Sequence, residues 1–426
     1  MRRQDSMLRQ LTHTFRALRH ANFRRFFIGQ GLSLVGTWLQ QVAMGWVTYR
    51  LTDSAFLLGA VAFCSNIGIL ALGPFAGVLA DRIDRRVGLY VTQALLLLQA
   101  IVLAVLSASG HLAVWHLVAC ALWLGIVSAF DVPLRQALYV HLVDDRADLP
   151  NAIALNSFLV NGARVVGPAI AGILLSLVSE AACFALNALS FVAVIVAISR
   201  LRWPHATAPE PSKVGFWSSW KEGARYSFGF APVRALLGLV AVVAWTITPY
   251  SSLMPIYAAR IFGGGAHTLG FLLSAAGAGA LASTAYLASR HTIRGLGRVI
   301  AASAAMAGFA LIAFSHLTVL PAALVLMALV GGGVILAAAS ANTIIQTIVE
   351  DRMRGRVAGF YTMAFLGVAP IGNLVAGALA RGIGVETTFA LNGGLCTLAA
   401  LWFWRRLPKL AAILRPTYVR LGIIAE

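Results

Sequence analysis

Asp131 and Arg135 stand four residues apart in an otherwise apolar run that extends from Trp123 through Phe130 to Pro133. On a helix this spacing puts both on one face, where they can pair. Of the 15 acids in the 426-residue chain, Asp131 alone lies well inside an apolar run, and an ionisable group within hydrocarbon needs a physical reason to be there. The chemistry it suits is proton coupling. Burial favours the neutral carboxyl, the guanidinium favours the carboxylate, and substrate or conformation can tip the balance. The same residues equally suit a permanent ion pair, or a bridge from Arg135 to Asp81 in an inner gate. Arg164 is the second buried charge and shares a helical face with Ser157, Asn161 and Pro168. It is a further proton-coupling candidate: a fixed cation that can receive an anionic substrate or a carboxylate such as Asp131, or form a structural salt bridge to another span.

Milder polar stripes accompany these charges. Thr37, Gln41, Met44 and Thr48 recur at helical spacing, and polar groups inside a bilayer face a cavity or a partner helix. In the second half Thr246, Tyr250, Met254 and Tyr257 form one stripe, and Asn342 with Gln346 another. Together with Asn161 they are the candidates for lining a cavity that takes a bulky, amphipathic small molecule; helix packing or interfacial anchoring is the alternative for the aromatic stripe. No catalytic residues, cofactor or metal are expected. Cys64, Cys120, Cys183 and Cys396 all lie in apolar runs without CxxC spacing, and the phosphate-binding loop of an ATP-driven pump is missing from the sequence.

The elements that must position these residues are membrane helices. With 59% hydrophobic and 11% charged residues and a mean hydropathy of +0.82, the chain is far from the ~25% charged share of a water-soluble domain. A span takes about 20 apolar residues, and the sequence divides into twelve: 26–49, 55–79, 87–108, 113–140, 151–176, 182–200, 233–258, 267–289, 299–316, 320–348, 358–380 and 385–404. The expected fold is an all-α membrane protein of two six-helix halves, 26–201 and 232–404. A basic amphipathic segment, 1–25, precedes them, a linker with an amphipathic helix, 202–231, joins them, and a basic tail, 405–426, follows. In the first segment Leu8, Leu11, Phe15 and Leu18 share one face, which suits a helix on an anionic lipid surface.

The net charge of +18 is distributed by side. With alternating spans, only Arg50, Arg260 and Arg381 of the 33 Lys and Arg fall opposite the basic loops, while Arg135, Arg164 and Arg234 lie in or at the ends of spans. That asymmetry is the positive-inside pattern, so both termini are expected in the cytoplasm, and it counts against nucleic acid as a partner. The N-terminus reads as a basic segment leading straight into a span, without a cleavable signal. An internal echo supports the two halves: Leu142-Val143-Asp144-Asp145-Arg146 before the fifth span matches Ile348-Val349-Glu350-Asp351-Arg352 before the eleventh.

Between the second and third spans stands Gly77-Val78-Leu79-Ala80-Asp81-Arg82-Ile83-Asp84-Arg85-Arg86. The pattern G-x-L-A-D-R-x-x-R-R resembles the signature loop of the major facilitator superfamily. Within it the chain looks most like the branch of macrolide-efflux proteins and the enterobactin exporter, through Leu51-Thr52-Asp53-Ser54, Pro133, Arg135, Asn151-Ala152, Gly167-Pro168 and Arg354-Gly355-Arg356-Val357. The resemblance implies a monomeric, proton-driven exporter of a drug or siderophore in a bacterial inner membrane, working by alternating access. It further implies a cytoplasmic gate in which Gly77, Asp81, Arg82, Arg85 and Arg86 meet the start of the eleventh span. An importer or uniporter of a small metabolite, a lysophospholipid flippase and a non-transporting sensor are the competing readings. Two departures stand out: the second-half copy of the signature loop has decayed to Ser289-Arg290-His291-Thr292-Ile293-Arg294-Gly295, and Arg135 is followed by Gln136-Ala137-Leu138 where efflux members carry Arg-x-x-Gln-Gly.

Overall fold

A computed structural model describes residues 15–80, 83–201, 216–290 and 292–423, and these are helical with no strand among them. The first half comprises α1 (Ala21–Thr52), α2 (Ala55–Ala80), α3 (Arg85–Ala108), α4 (Val114–Leu142), α5 (Leu149–Leu177) and α6 (Glu180–Ser199). After α7 (Phe216–Gly229), the second half runs through α8 (Ala231–Thr246), α9 (Tyr250–Ile256), α10 (Ala266–Ala288), α11 (Leu296–Ser315), α12 (Leu320–Ile348), α13 (Asp351–Thr362), α14 (Val368–Ile383) and α15 (Val385–Arg420). Among the described residues, 10 helical stretches are long and apolar enough to cross a membrane. Helices α1 and α15 are as long but more polar, with Arg24, Arg25 and three glutamines in α1 and five basic residues from Arg405 to Arg420 in α15.

Helix boundaries follow local chemistry. Asp84 caps α3 by accepting hydrogen bonds from the amides of Arg86 (2.8 Å) and Val87 (3.2 Å). The seventh span is not the continuous helix expected over 233–258. It breaks after Thr246 and restarts at Tyr250, because Pro249 has no amide to donate and disfavours helical geometry in the residue before it. It ends in a π-turn, Tyr257–Ile261, and a second π-turn, Met363–Gly367, interrupts the rod made by α13 and α14. The last helix runs on to Arg420, so the tail expected from 405 continues the span as helix. At the N-terminus Arg16–Arg19 form a single 3₁₀ turn; Leu8 and Leu11 lie outside the described residues.

The two halves repeat one packing scheme. In the first, α2 packs on α4 and α6 lies against α1 and α3; in the second, α10 packs on α12 and α15 lies against α11 and α8. The halves meet through α5 with α10 and α2 with α14. Their interiors differ. The first half has three separate apolar clusters, around Phe23 and Leu138, around Leu96 and Phe191, and around Leu103 and Phe184. Most of the second half shares one continuous cluster.

Candidate transport site

Polar layers divide the three clusters of the first half. In one, Asp131 is 1% exposed. Its Oδ1 accepts hydrogen bonds from Thr92 Oγ1 at 2.8 Å and Gln93 Nε2 at 2.7 Å, both on α3. Its Oδ2 accepts from Arg135 Nε at 2.5 Å and pairs with Arg135 Nη2. Arg135 Nη1 donates to Gln30 Oε1 of α1 at 2.6 Å, so the i,i+4 pair read from the sequence is one edge of a network spanning α1, α3 and α4. Gln93 Oε1 is buried without a partner. The other layer is uncharged: Asn187 Nδ2 donates to Gln40 Oε1 at 2.8 Å, and Gln40 Nε2 to Gln99 Oε1 at 3.0 Å. Gln30, Thr92 and Gln93 carry no signal in the sequence: periodicity within one helix cannot show that α3 meets the Asp131 carboxylate while α1 meets Arg135.

A cavity of about 140 Å³ lies between the halves, lined among others by Gln41 and Met44 of α1, Asn66 of α2, Ser251 and Ser252 of α9, and Asn373 of α14. Trp38 forms part of its wall. Ser252 Oγ is 3.1 Å from Asn373 Oδ1. Of the expected lining residues, Gln41 and Met44 are there. Thr37, Thr48, Asn161 and Thr246 turn their polar atoms onto carbonyls of their own helices, at 2.7–2.8 Å. Met254 and Tyr257 correct the expectation. Both are fully buried in the second half, with Tyr257 stacked on Phe389 at 4.9 Å and tilted against Phe314 at 4.8 Å, because an aromatic ring gains more from such partners than from a wet cavity. Asn342 and Gln346 are half-buried on α12 and do not line this cavity.

Arg164 lies away from Asp131. Its guanidinium stands over Trp38, 5.5 Å from the ring centroid, and interacts electrostatically with Tyr250 across the interface between the halves. Tyr250 thus lies within electrostatic range of Arg164, which the helical stripe did not foresee.

The interface has two unlike ends. Toward the Arg260 end Asp53 pairs with Arg260 across the halves. There a Cβ on Gly59 would meet the Asn373 carbonyl oxygen at 2.4 Å, and one on Gly270 the Pro168 carbonyl oxygen at 2.5 Å, so glycine is what lets these backbones touch. Toward the end with the basic loops Gly73, Gly162, Gly355 and Gly359 face open space. A cavity of about 420 Å³ opens there between Gln136 of α4 and Trp220, Arg356 and Phe360 of α7 and α13.

At this basic end Arg85 donates from Nη1 to His141 Nε2 at 2.6 Å, within the first half. Burial, with the charges of Arg85 and Arg146, lowers the His141 pKa and suits the neutral acceptor. Arg86 stands over Tyr90, Gly77 lies in α2, and Asp81 and Arg82 fall outside the described residues. The stretch before each half is clamped to the chain at or near the start of its fifth rod. Asp148, fully buried, is held by His20 Nε2 at 2.8 Å, Arg19 Nη2 at 2.7 Å and Arg16. In the second half the polarity is reversed: Glu222 of α7 holds Arg352 at 3.2 Å and Arg356. Burial opposes protonation of His20, but its hydrogen bonds to Asp148 and Asp144 and their charges outweigh it, and its pKa is raised.

Two helical halves that repeat one packing scheme, with a cavity between them, have the fold of a multi-pass membrane transporter of the major facilitator type. A family model described as transmembrane secretion effector matches residues 12–416; the chain belongs to that family. It is 26% identical to the staphyloferrin A transporter of Staphylococcus aureus, over 90% of this chain and 96% of that one. It is 25% identical to the multidrug efflux pump Tap of Mycolicibacterium fortuitum, over 83% and 88%. Macrolide efflux protein A of Streptococcus pyogenes shares 23% identity over 53% and 60%. Among solved structures, a POT family transporter in complex with 5-aminolevulinic acid superposes with a TM-score of 0.72 at 12% identity, covering 92% of this chain and 97% of that one. The nucleoside transporter NupG gives 0.68 at 14%, over 90% and 99%. These likenesses carry the fold.

Proposed function

We propose that the protein exports a bulky amphipathic small molecule, of the drug or siderophore class, across a bacterial plasma membrane by proton antiport. In this reading α1 and α15 complete twelve crossings, the basic end and both termini face the cytoplasm, and a single chain forms the transport unit. The observation that carries the reading is the unequal interface: glycine-tight contact and the Asp53–Arg260 pair at one end, an open cleft at the other, and the 140 Å³ polar cavity between. Such an arrangement is one state of an alternating-access cycle, open to the cytoplasm. Release of the Arg260 end, with approach of α2 and α13 at the basic end, would give the other. Asp81, Arg82, Arg85 and Arg86 of the loop after Gly77 are the proposed partners of α13 in that second state.

Asp131 is the proton carrier in this scheme. With the carboxylate ionised, both oxygens are occupied and Arg135 is held between α4 and Gln30 of α1. Protonation weakens the hold on Arg135 and makes Asp131 a donor. Gln93 Oε1, buried without a partner, can accept that proton once its amide turns over. A proton arriving at Asp131 therefore loosens the tie between α4 and α1, the helix that also supplies Gln41 and Met44 to the cavity.

The test is intracellular accumulation of macrolides, dyes and siderophores in an efflux-deficient host, with and without the protein and with and without a protonophore. Lower accumulation that the protonophore reverses is expected, and Asp131→Asn should abolish it while the protein remains inserted. Exclusion that ignores the protonophore, or full coupled export by the variant, would rule the antiport scheme out; increased uptake would favour an importer.

A further inference from the structure

Arg164 sits where α1, α5 and α10 converge. Gly167, three residues on, lets Trp38 of α1 lie against α5, since a Cβ there would meet Trp38 Cβ at 2.4 Å. Gly277 of α10 rests on the Arg164 carbonyl, where a Cβ would come within 2.6 Å. The side chain is thus held at the seam between the halves, over Trp38, beside the cavity that Trp38 helps to wall. Its Nε is buried and has no hydrogen-bond partner. Among the described residues no carboxylate pairs with it. Asp131, the partner the sequence allowed, has both oxygens taken on the far side of the first half. Arg164 stands over the Trp38 ring, with Tyr250 within electrostatic range. A ring face recovers only part of what a guanidinium loses on leaving water, so the site is a fixed cation lacking its counter-ion.

We propose that the missing counter-ion is a carboxylate of the transported molecule, and that Arg164 makes the central cavity selective for amphipathic organic acids. The carboxylate is received by Arg164 with the Tyr250 hydroxyl as second donor, and the apolar body lies along Trp38 and Met44. Asn66, Ser251 and Asn373 then meet neutral polar groups. A planar guanidinium with several donors suits a carboxylate better than an ammonium would. This inference rests on the central cavity being the transport site and deepens the export reading by naming its substrate class.

Phenylacetate and its neutral isostere phenylacetamide provide the probe pair. Their equilibrium binding to the purified full chain in lipid nanodiscs at neutral pH needs neither a proton gradient nor transport. Wild-type protein should bind the acid at least about tenfold tighter than the amide, the discrimination expected of a charge-assisted hydrogen bond. Arg164→Gln should weaken acid binding far more than amide binding and bring the two to the same level, and Arg164→Lys should keep part of the preference. If Arg164→Gln does not fold, Tyr250→Phe, which removes one hydroxyl, should reduce the preference. Equal binding of acid and amide by the wild type, no acid binding at millimolar concentration, or a preference untouched by these variants would overturn the proposal. The two readings fail separately. Protonophore-sensitive export without acid preference leaves export standing and removes Arg164 as receptor, whereas an Arg164-dependent preference in a protein that exports nothing does the reverse.

Discussion

The two halves of the molecule share a packing scheme but differ in how polar side chains cross between helices. They cross side chain to side chain in the first, and by single bonds from a side chain to a backbone carbonyl in the second, such as Ser283 Oγ to the Gly332 carbonyl at 2.9 Å and the Tyr361 hydroxyl to the Ala338 carbonyl at 2.9 Å. In the first half long amide and carboxyl side chains reach across helices, as in the Gln40–Gln99–Asn187 layer and the Asp131–Arg135–Gln30 layer. In the second, the buried hydroxyls of Thr246, Ser303, Ser315, Thr388 and Thr397 turn back onto carbonyls of their own helices. Helices of the second half are joined mainly by apolar contact, around the stacked Tyr257 and Phe389 with Phe314 tilted against them. A hydrogen-bonded layer has discrete alternative arrangements and can be reset by one proton; an apolar core has no such control. Under the proposed antiport scheme the first half responds to the proton, while the second holds its shape and yields at the breaks in its seventh and eleventh rods.

Substitutions can break this contrast, the most severe in the apolar half. Tyr257→Ala should cost roughly 3–5 kcal/mol, as for other large aromatic truncations in a packed core, seen as a lower thermal transition in detergent at every pH. A drop that depended on pH would give the second half a titrating role. Next in size, Arg135→Leu leaves Asp131 buried without its cation and should cost about 3 kcal/mol. The loss should shrink when Asp131→Asn is added, and additive losses would deny that the two act as one unit.

A finer comparison sets Gln40→Leu against Ser303→Ala. The first strands amide groups of Gln99 and Asn187 and should cost about 1–3 kcal/mol. The second removes a hydroxyl that bonds its own helix and should cost under about 1 kcal/mol. Equal losses would dissolve the distinction between the halves.

The smallest expected effect concerns the clamp before the first half. The His20 pKa is raised in the folded protein, so its contribution is fully present below the ordinary imidazole value of about 6.5 and fades as pH rises through the folded value. The stability difference between wild type and His20→Gln should thus be larger under mildly acidic than under mildly alkaline conditions. A difference for His20→Gln that grew with pH would reverse the assignment.

Much of this was legible in the chain. Helical content, the division into halves, the Asp131–Arg135 pair and the family follow from apolar runs, an i,i+4 spacing and the motif around Asp81, all of them local signals. The echo of Leu142–Arg146 at Ile348–Arg352 pointed to two related halves but gave no sign of the two clamps or of their reversed polarity, because Glu222 and His20 come from segments distant in sequence. The stripe through Met254 and Tyr257 misled because a helix has two buried faces in such a protein, one toward its own bundle and one toward the cavity, and side-chain type does not distinguish them.

What the sequence determined by itself is thus everything set by the solvent and by neighbours along the chain. A membrane demands long apolar helices whatever they pack against, charges at loops sort by side, and prolines break helices where they stand. The tertiary structure alone decided which polar atoms meet. It gave Asp131 its three donors from two helices, left Arg164 without a carboxylate beside Trp38 and Tyr250, and closed the interface at one end through glycines from opposite halves. Those outcomes depend on the rotation and depth of each helix against others far away in sequence, and no single helix carries that information.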